Sequence, residues 1–490
     1  MDSAFSRRSF LRSGAALLGS AAVPTAFQSL LAREAQAGRP RAPSSPVANP
    51  YGEPIPAIDA TTGLALLALP PDFTYRTFSW SGDLMADGTP APLNHDGMGV
   101  VQVLPGRAGD LVLVRNHEVA FGPVIGRGNV PVYDATRLGR NGLGGGTTTL
   151  TFRRGALLRA EPSLGGTSGN CAGGVTPWGS WLSCEEVLID GTAVGAQSHG
   201  WVFEVPAPSL GPASAVPIYD MGLMRHEAAV VDPRNGCVYE TEDSNPHSGF
   251  YRYRPHDRSG RVGSLEAGGA LEMLRVIGAD GADLDEPEAG ATFQVDWVPI
   301  EDPTAVPEAA VGQLLYDGPS SPYTEGRDRG GARFRRLEGC WYGGGSIWFV
   351  DTTGGADGNG VVWRYDPPSD ESAPGLLECF WVSTSSLAGN NIDNLTLSPR
   401  GGLLCCEDSG DGEGTRLIGY TRDGASFAFA QNRVQLPGGV PGRPAIAPGD
   451  YRSSEFCGAC FDPSGRWLFV NTQRPGVTYA ISGPWARGPL

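Results

Sequence analysis

Carboxylates, one thiol and two arginines stand at spacings that could do chemistry. In the stretch Arg225 to Ser244, RHEAAVVDPRNGCVYETEDS, Glu227 precedes one apolar run, and Glu242 and Asp243 follow a second. The pattern recurs with other donors. His95-Asp96 is answered by His117-Glu118, Cys171 by Glu185-Glu186, Glu338 by Asp351, Asp393-Asn394 by Glu407-Asp408, and Glu455 by Asn471. Brought to one place, such groups cannot persist as bare carboxylates, because like charges at close range take up protons or bind cations. Oxygen-rich sets select hard ions such as calcium, magnesium, manganese or ferric iron. A lone thiolate among them, here Cys171 in its glycine-rich context, points towards a transition metal. Cations beside arginines suit phosphoryl transfer: the ions polarise phosphoryl oxygens and the guanidinium complements the transition-state charge. Arg336 leaves its strand on the same face as Glu338, two residues on, and is the first clamp candidate. Arg225, beside His226-Glu227, is the second, although an ordinary salt bridge would also explain it.

Each of these groups sits at the end of a hairpin. Residues 228–231 and 237–241 are β-branched, apolar or aromatic, and Asp232-Pro233-Arg234-Asn235-Gly236 supplies the turn between them. An antiparallel hairpin places the entry of its first strand and the exit of its second at one end, so Glu227 and Glu242-Asp243 share a rim. Six such hairpins follow one another, each with ligand-type residues at both open ends. Taken singly, an acidic residue after a strand is ordinary turn chemistry; the sixfold recurrence is what singles these out. A strand-built repeat of roughly 40–60 residues is the signature of a β-propeller. The expected fold is therefore all-β, a six-bladed β-propeller over residues 71–490, with small helical segments and a long insertion at about 256–335. Helical turns are expected near 303–313 and a mobile arm at 326–333.

The 490 residues hold 71 Gly and 41 Pro, but these punctuate apolar strands, and a hydrophobic content of 40% suffices for a core. A formal net charge of −16 argues against nucleic acid as a partner. No lysine is present, so every fixed basic role falls to arginine. Ser6-Arg7-Arg8-Ser9-Phe10-Leu11, an apolar run over 14–22 and Ala35-Gln36-Ala37 read as a twin-arginine signal peptide over 1–37. That run is too short for a membrane span, so the expectation is a protein handled by the twin-arginine export machinery, periplasmic or secreted, without a span after processing. Residues 38–70, rich in Pro, Ala and Gly, read as an exposed strap. Nine cysteines is an odd number, and most lie in strands, where a small buried hydrophobe is the ordinary reading.

The segments NCAGGVTPWGSWLSCEE (170–186), RHEAAVVDPRNGCVYETED (225–243), RRLEGCWY (335–342), IDNLTLSPRGGLLCCED (392–408) and EFCGACFDPSGRWLFVNTQRPGVTYAISGPW (455–485) resemble those of PhoX-type alkaline phosphatases. The resemblance implies a monomeric, exported six-bladed propeller hydrolysing phosphomonoesters, with ferric iron and calcium as cofactors. It implies that Cys171 ligates iron, that Glu185, Glu227, Glu242 and Glu338 ligate iron or calcium, and that Arg336 holds the phosphate. Glu118, Asp243, Asp393, Glu407, Asp408 and Glu455 are carried over as metal contacts or their support. The sequence departs from the family pattern at Ile392, where Pro is usual, and at Cys457, where Ala is usual. Two alternatives stay open. A calcium-dependent propeller hydrolase of another kind, a lactonase or phytase, would carry no iron and need no thiolate. A non-catalytic envelope protein stapled by calcium would turn over no ester.

Overall fold

The structure, a computed structural model, describes residues 46–106, 110–126, 130–138, 142–409 and 412–490. The expected signal peptide, 1–37, lies outside the described residues. Among the described residues no helix is long and apolar enough to cross a membrane.

The expected hairpins form. Their first strands are His95–Val103, Asn170–Val175, His226–Val231, Leu337–Gly343, Ile392–Leu397 and Phe456–Phe461, and each pairs antiparallel with the strand that follows it. Further antiparallel strands extend each hairpin outward. The six first strands pack against one another in a closed circle, the last returning to the first. Between each hairpin and the next lies an apolar core. Val112 and Val114 meet Trp181 and Phe203 in one; Tyr239 and Phe250 meet Phe349 and Trp363 in another. The circle closes where Phe469 and Cys460 meet Met98 and Phe152. Each inner strand thus has an apolar core on both faces. This explains why His226–Val231 is buried along its whole length instead of alternating. The result is a nearly all-β, propeller-like arrangement.

The ends of the domain share a sheet. Thr74–Phe78 pairs with Val477–Ser482, so an early strand completes the last blade. Asp59 braces it, accepting from the Thr77 backbone N–H at 2.8 Å and from the Thr77 hydroxyl at 2.6 Å.

Three expectations need correction. Within 38–70, the described part is an exposed strap only in part: Ile55–Ala57 and Leu67–Leu69 extend the sheet of Leu403–Glu407, and Leu66 to Leu69 are buried. The apolar run Leu64-Ala-Leu-Leu-Ala-Leu69 has the composition of a buried strand, which its Pro-rich surroundings obscured. The insertion at 256–335 is partly blade. Gly269–Val276 pairs with Phe250–Pro255, and Thr292–Pro299 then bridges to Gly375–Val382, fusing two sheets into one. A one-turn helix at Glu308–Ala310 lies where helical turns were expected. The arm at 326–333 is instead held in place. Ser321–Asp328 is a helix capped by Ser320, and Ala332 and Phe334 are fully buried.

Candidate metal centre

One backbone device delivers the donors. In all six hairpins the register slips just inside the open end, with two residues of the first strand facing one of the second. Such a bulge bends its strand and re-aims the extra side chain. The first extra residue is Asp96, Cys171, Glu227, Glu338 or Asp393 in five hairpins and Gly458 in the sixth. The second extra residue is small where strands crowd. A Cβ on Gly97 would meet Ala172 Cα at 2.5 Å, and one on Gly339 would meet Asn394 Cα at 2.8 Å. Neighbouring strands therefore approach backbone to backbone at these positions, and the five side chains come together at one mouth.

The second strands contribute by alternation. Side chains of successive strand residues face opposite ways, so each terminal pair splits into one residue that locks the blade and one that faces the mouth. Glu185 locks: it accepts from the backbone N–H of Ser168 (2.7 Å), Gly200 (2.9 Å) and Trp201 (3.1 Å), and pairs with His199 at 2.7 Å. Asp351 accepts from the N–H of Arg335 and Arg336, Glu407 holds Arg416 and the Asn390 N–H, and Glu242 accepts from the Tyr251 hydroxyl. The residues after Glu185, Glu242 and Glu407 reach the mouth as Glu186, Asp243 and Asp408, and Glu118, after His117, does the same.

Among the described residues four groups of three donors result, each with ligand atoms within 4.8 Å of one another. They are Cys171–Glu186–Glu227, Glu227–Glu338–Asp393, Asp393–Asp408–Glu455 and Asp96–Glu118–Glu455. Glu227, Asp393 and Glu455 each belong to two groups, so the four join into one arc. Of the expected residues, Cys171, Glu118, Glu227, Glu338, Asp393, Asp408 and Glu455 are brought together. Asp243 stands beside them through Arg336. Glu185, Glu242 and Glu407 are not brought in, because strand alternation turns them into their own blades. Asp96 and Glu186 were missed. The signal for both was present in the pattern: Asp96 takes the position of Glu227 in the first hairpin, and Glu186 takes that of Asp243 in the second.

Burial and mutual repulsion dominate the electrostatics. Burial first, then the Asp393 charge, pushes Glu227 well above the carboxylate range. Burial likewise raises Glu338, Glu455, Asp96 and Glu186. Asp393 is pushed up to about 8 and Glu118 to about 7, again with burial as the leading cause. The Cys171 thiol rises for the same reason, with Asp96 and Glu227 adding to it. Neither oxygen of Glu227 receives a hydrogen bond of ordinary geometry; its near neighbours are the Cys171 thiol and the carboxyls of Glu186, Glu338 and Asp393. A fully buried carboxylate faced only by other acids fits a bound hard cation, whose charge would reverse each of these shifts. The donor set therefore fits calcium-like ions along the carboxylate arc and a thiophilic ion at Cys171.

Arg336 spans the rim of the arc. Its Nε donates to both oxygens of Asp243 at 3.2 and 3.1 Å, Nη2 lies 2.8 Å from Glu338, and Nη1 lies 3.5 Å from Asp408. These charges, Glu338 first, hold it protonated at any ordinary pH. It keeps access to solvent, with 28% of its side chain exposed.

Searches for relatives give three results. No curated protein matches the chain. Among solved structures, a catalytically inactive variant of virginiamycin B lyase from Staphylococcus aureus aligns at 12% identity and a TM-score of 0.36, covering 84% of this chain and 99% of that one. The PQQ-bound aldose sugar dehydrogenase of Streptomyces coelicolor aligns at 12% identity and a TM-score of 0.34, covering 74% and 86%. A calcium-binding regucalcin from Agrobacterium tumefaciens aligns at 16% identity and a TM-score of 0.23, covering 63% and 92%. The family model for alkaline phosphatase PhoX matches residues 52–476. With nearly all of the described propeller inside that match, the chain belongs to the PhoX alkaline phosphatase family and is a phosphatase.

Proposed function

We propose that the phosphatase hydrolyses phosphomonoesters in the acidic mouth, on a multinuclear iron–calcium centre, with Arg336 holding the phosphate. The observation that carries this reading is the Glu227 carboxylate, fully buried and faced only by a thiol and other acids. Cys171, Glu186 and Glu227 would hold the iron. The carboxylates from Glu338 round to Asp96 and Glu118 would hold calcium. Bound there, such ions supply Lewis-acid polarisation of the phosphoryl oxygens. The chain's own residues do the rest. Arg336, anchored through Nε by Asp243, has its Nη1 and Nη2 donors beside Asp408 and Glu338, from where they bind the phosphate oxygens and orient the ester.

The reading includes a setting. The twin-arginine pattern at Ser6–Leu11 supports export of the folded protein to the periplasm or the medium, and the likeness to the PhoX family supports a monomer. Replacing Cys171→Ala or Glu338→Ala should abolish turnover of p-nitrophenyl phosphate while circular dichroism stays that of a folded β protein. Full activity in either variant would overturn the reading.

A further inference from the structure

Arg225 stands on the same rim as Arg336. Asp243 links the two: its backbone N–H donates to the Arg225 carbonyl at 3.0 Å, and its carboxylate holds Arg336. The two arginines are engaged very differently. Arg336 has a contact at 2.8 Å, and Arg416, in a blade interior, has one at 2.5 Å. Arg225 reaches Glu186 only at 3.4 Å and Asp317 only at 3.5 Å, longer than charge-assisted bonds normally are. Asp317 is 92% exposed, which makes it a screened, weak partner. The Arg225 Nε is buried and meets no acceptor. A guanidinium carries five N–H donors, and this one has most of them unspent while 23% of its side chain faces solvent.

A wall rises on the same side. The segment ending at Asp317 docks on the second blade: the Asp190 N–H donates to the Gln313 carbonyl at 3.0 Å, the Gly312 N–H donates to the Asp190 carboxylate at 2.6 Å, and the Tyr316 N–H donates to the Leu188 carbonyl at 3.0 Å. Arg225 therefore lies between Glu186 of the acidic arc and Asp317 at the end of a fixed wall.

We infer that Arg225 is a specificity-determining side chain that binds a second anionic group, a carboxylate or another phosphate, on the alcohol portion of the ester. The inference rests on the phosphate lying at Arg336, as proposed above. Substrates with two anionic groups would span Arg336 and Arg225, and those with one would use Arg336 alone.

The test compares kcat/KM within two matched pairs: 3-phosphoglycerate against glycerol 3-phosphate, and fructose 1,6-bisphosphate against fructose 6-phosphate. The parent protein should favour the doubly anionic member of at least one pair. Arg225→Gln should cut that preference about tenfold, the worth of one charge-assisted contact, and Arg225→Lys should keep part of it. A change confined to the first pair identifies a carboxylate, and one confined to the second identifies a phosphate. Ratios in Arg225→Gln equal to the parent's in both pairs, with turnover intact, overturn this inference alone. Failure of the parent to turn over any of the four esters overturns it together with the reading beneath it.

Discussion

At the residue scale the organising fact is that buried acids face one another without enough basic partners. Glu227, Glu338 and Asp393 form one of four such groups, and Arg336 is the one cation in contact with them among the described residues. Their chemistry follows from that imbalance, since only cations can keep all of them ionised. Glu227→Gln should therefore fold at least as stably as the parent without metal, because it removes one buried charge, yet lose more than about a hundredfold in kcat. Thermal unfolding after exhaustive chelation, beside a p-nitrophenyl phosphate assay, checks both halves. A second residue-scale expectation concerns the locks. Burial works against a charge on His199, but Glu185 and Asp134 outweigh it and raise its pKa to about 9. A raised value means stability that is fully present below the unfolded pKa near 6.5 and lost as pH rises through about 9. Between those limits the loss should approach about 3 kcal/mol. Urea titrations at pH 6 and pH 9.5 should show it in the parent, and His199→Gln should show little of it.

At the scale of elements, the recurring bulge turns a plain hairpin into a donor-bearing one. The sixth copy shows its limits. Gly458 takes the bulge position with φ of +61°, and a Cβ there would meet the Asp96 carbonyl oxygen at 2.4 Å. Gly458→Ala should therefore cost about 1–3 kcal/mol and displace Asp96, measured as a lower denaturant midpoint with an unchanged m-value. The hairpins were legible because Asp-Pro-Arg-Asn-Gly and Asp462-Pro-Ser-Gly465 are strong turn signals between β-rich runs. Cys171, Glu227, Glu338 and Asp393 were legible because they recur at the same place in successive hairpins. Taking Glu185 in place of Glu186, and Glu242 and Glu407 together with Asp243 and Asp408, has a physical reason. Which member of an acidic pair faces the mouth depends on register, and a one-residue shift of parity reverses every side chain. The strand at Leu67–Leu69 escaped notice because its partner, Ser426–Asn432, lies far away in the chain.

For the described domain as a whole, stability and function share one geometry. Six apolar cores between neighbouring blades hold the inner strands in a circle, and the circle brings the donors together. Its closure depends on Thr74–Phe78 against Val477–Ser482. Deleting residues 46–78 should leave the last blade with an open edge and remove buried Leu66, Leu67, Leu69, Phe73 and Tyr75 from a core. The expected outcome is loss of cooperative unfolding and a tendency to aggregate; a deletion protein with the parent's sharp transition would show that the closure is dispensable. The domain-scale charge also matters. With a formal net charge of −16, the protein should attract cations from dilute solution and repel polyanions.

The central claim is that the arc from Cys171 to Glu118 is a cation centre and the seat of catalysis. Elemental analysis of the purified protein and of its Cys171→Ala variant, each paired with a phosphatase assay on the same sample, tests it most directly. Iron and calcium should be present in the parent, with iron lost from the variant and activity lost with it. Full phosphatase activity in protein free of both metals, or in a variant that keeps the parent's iron, would contradict it.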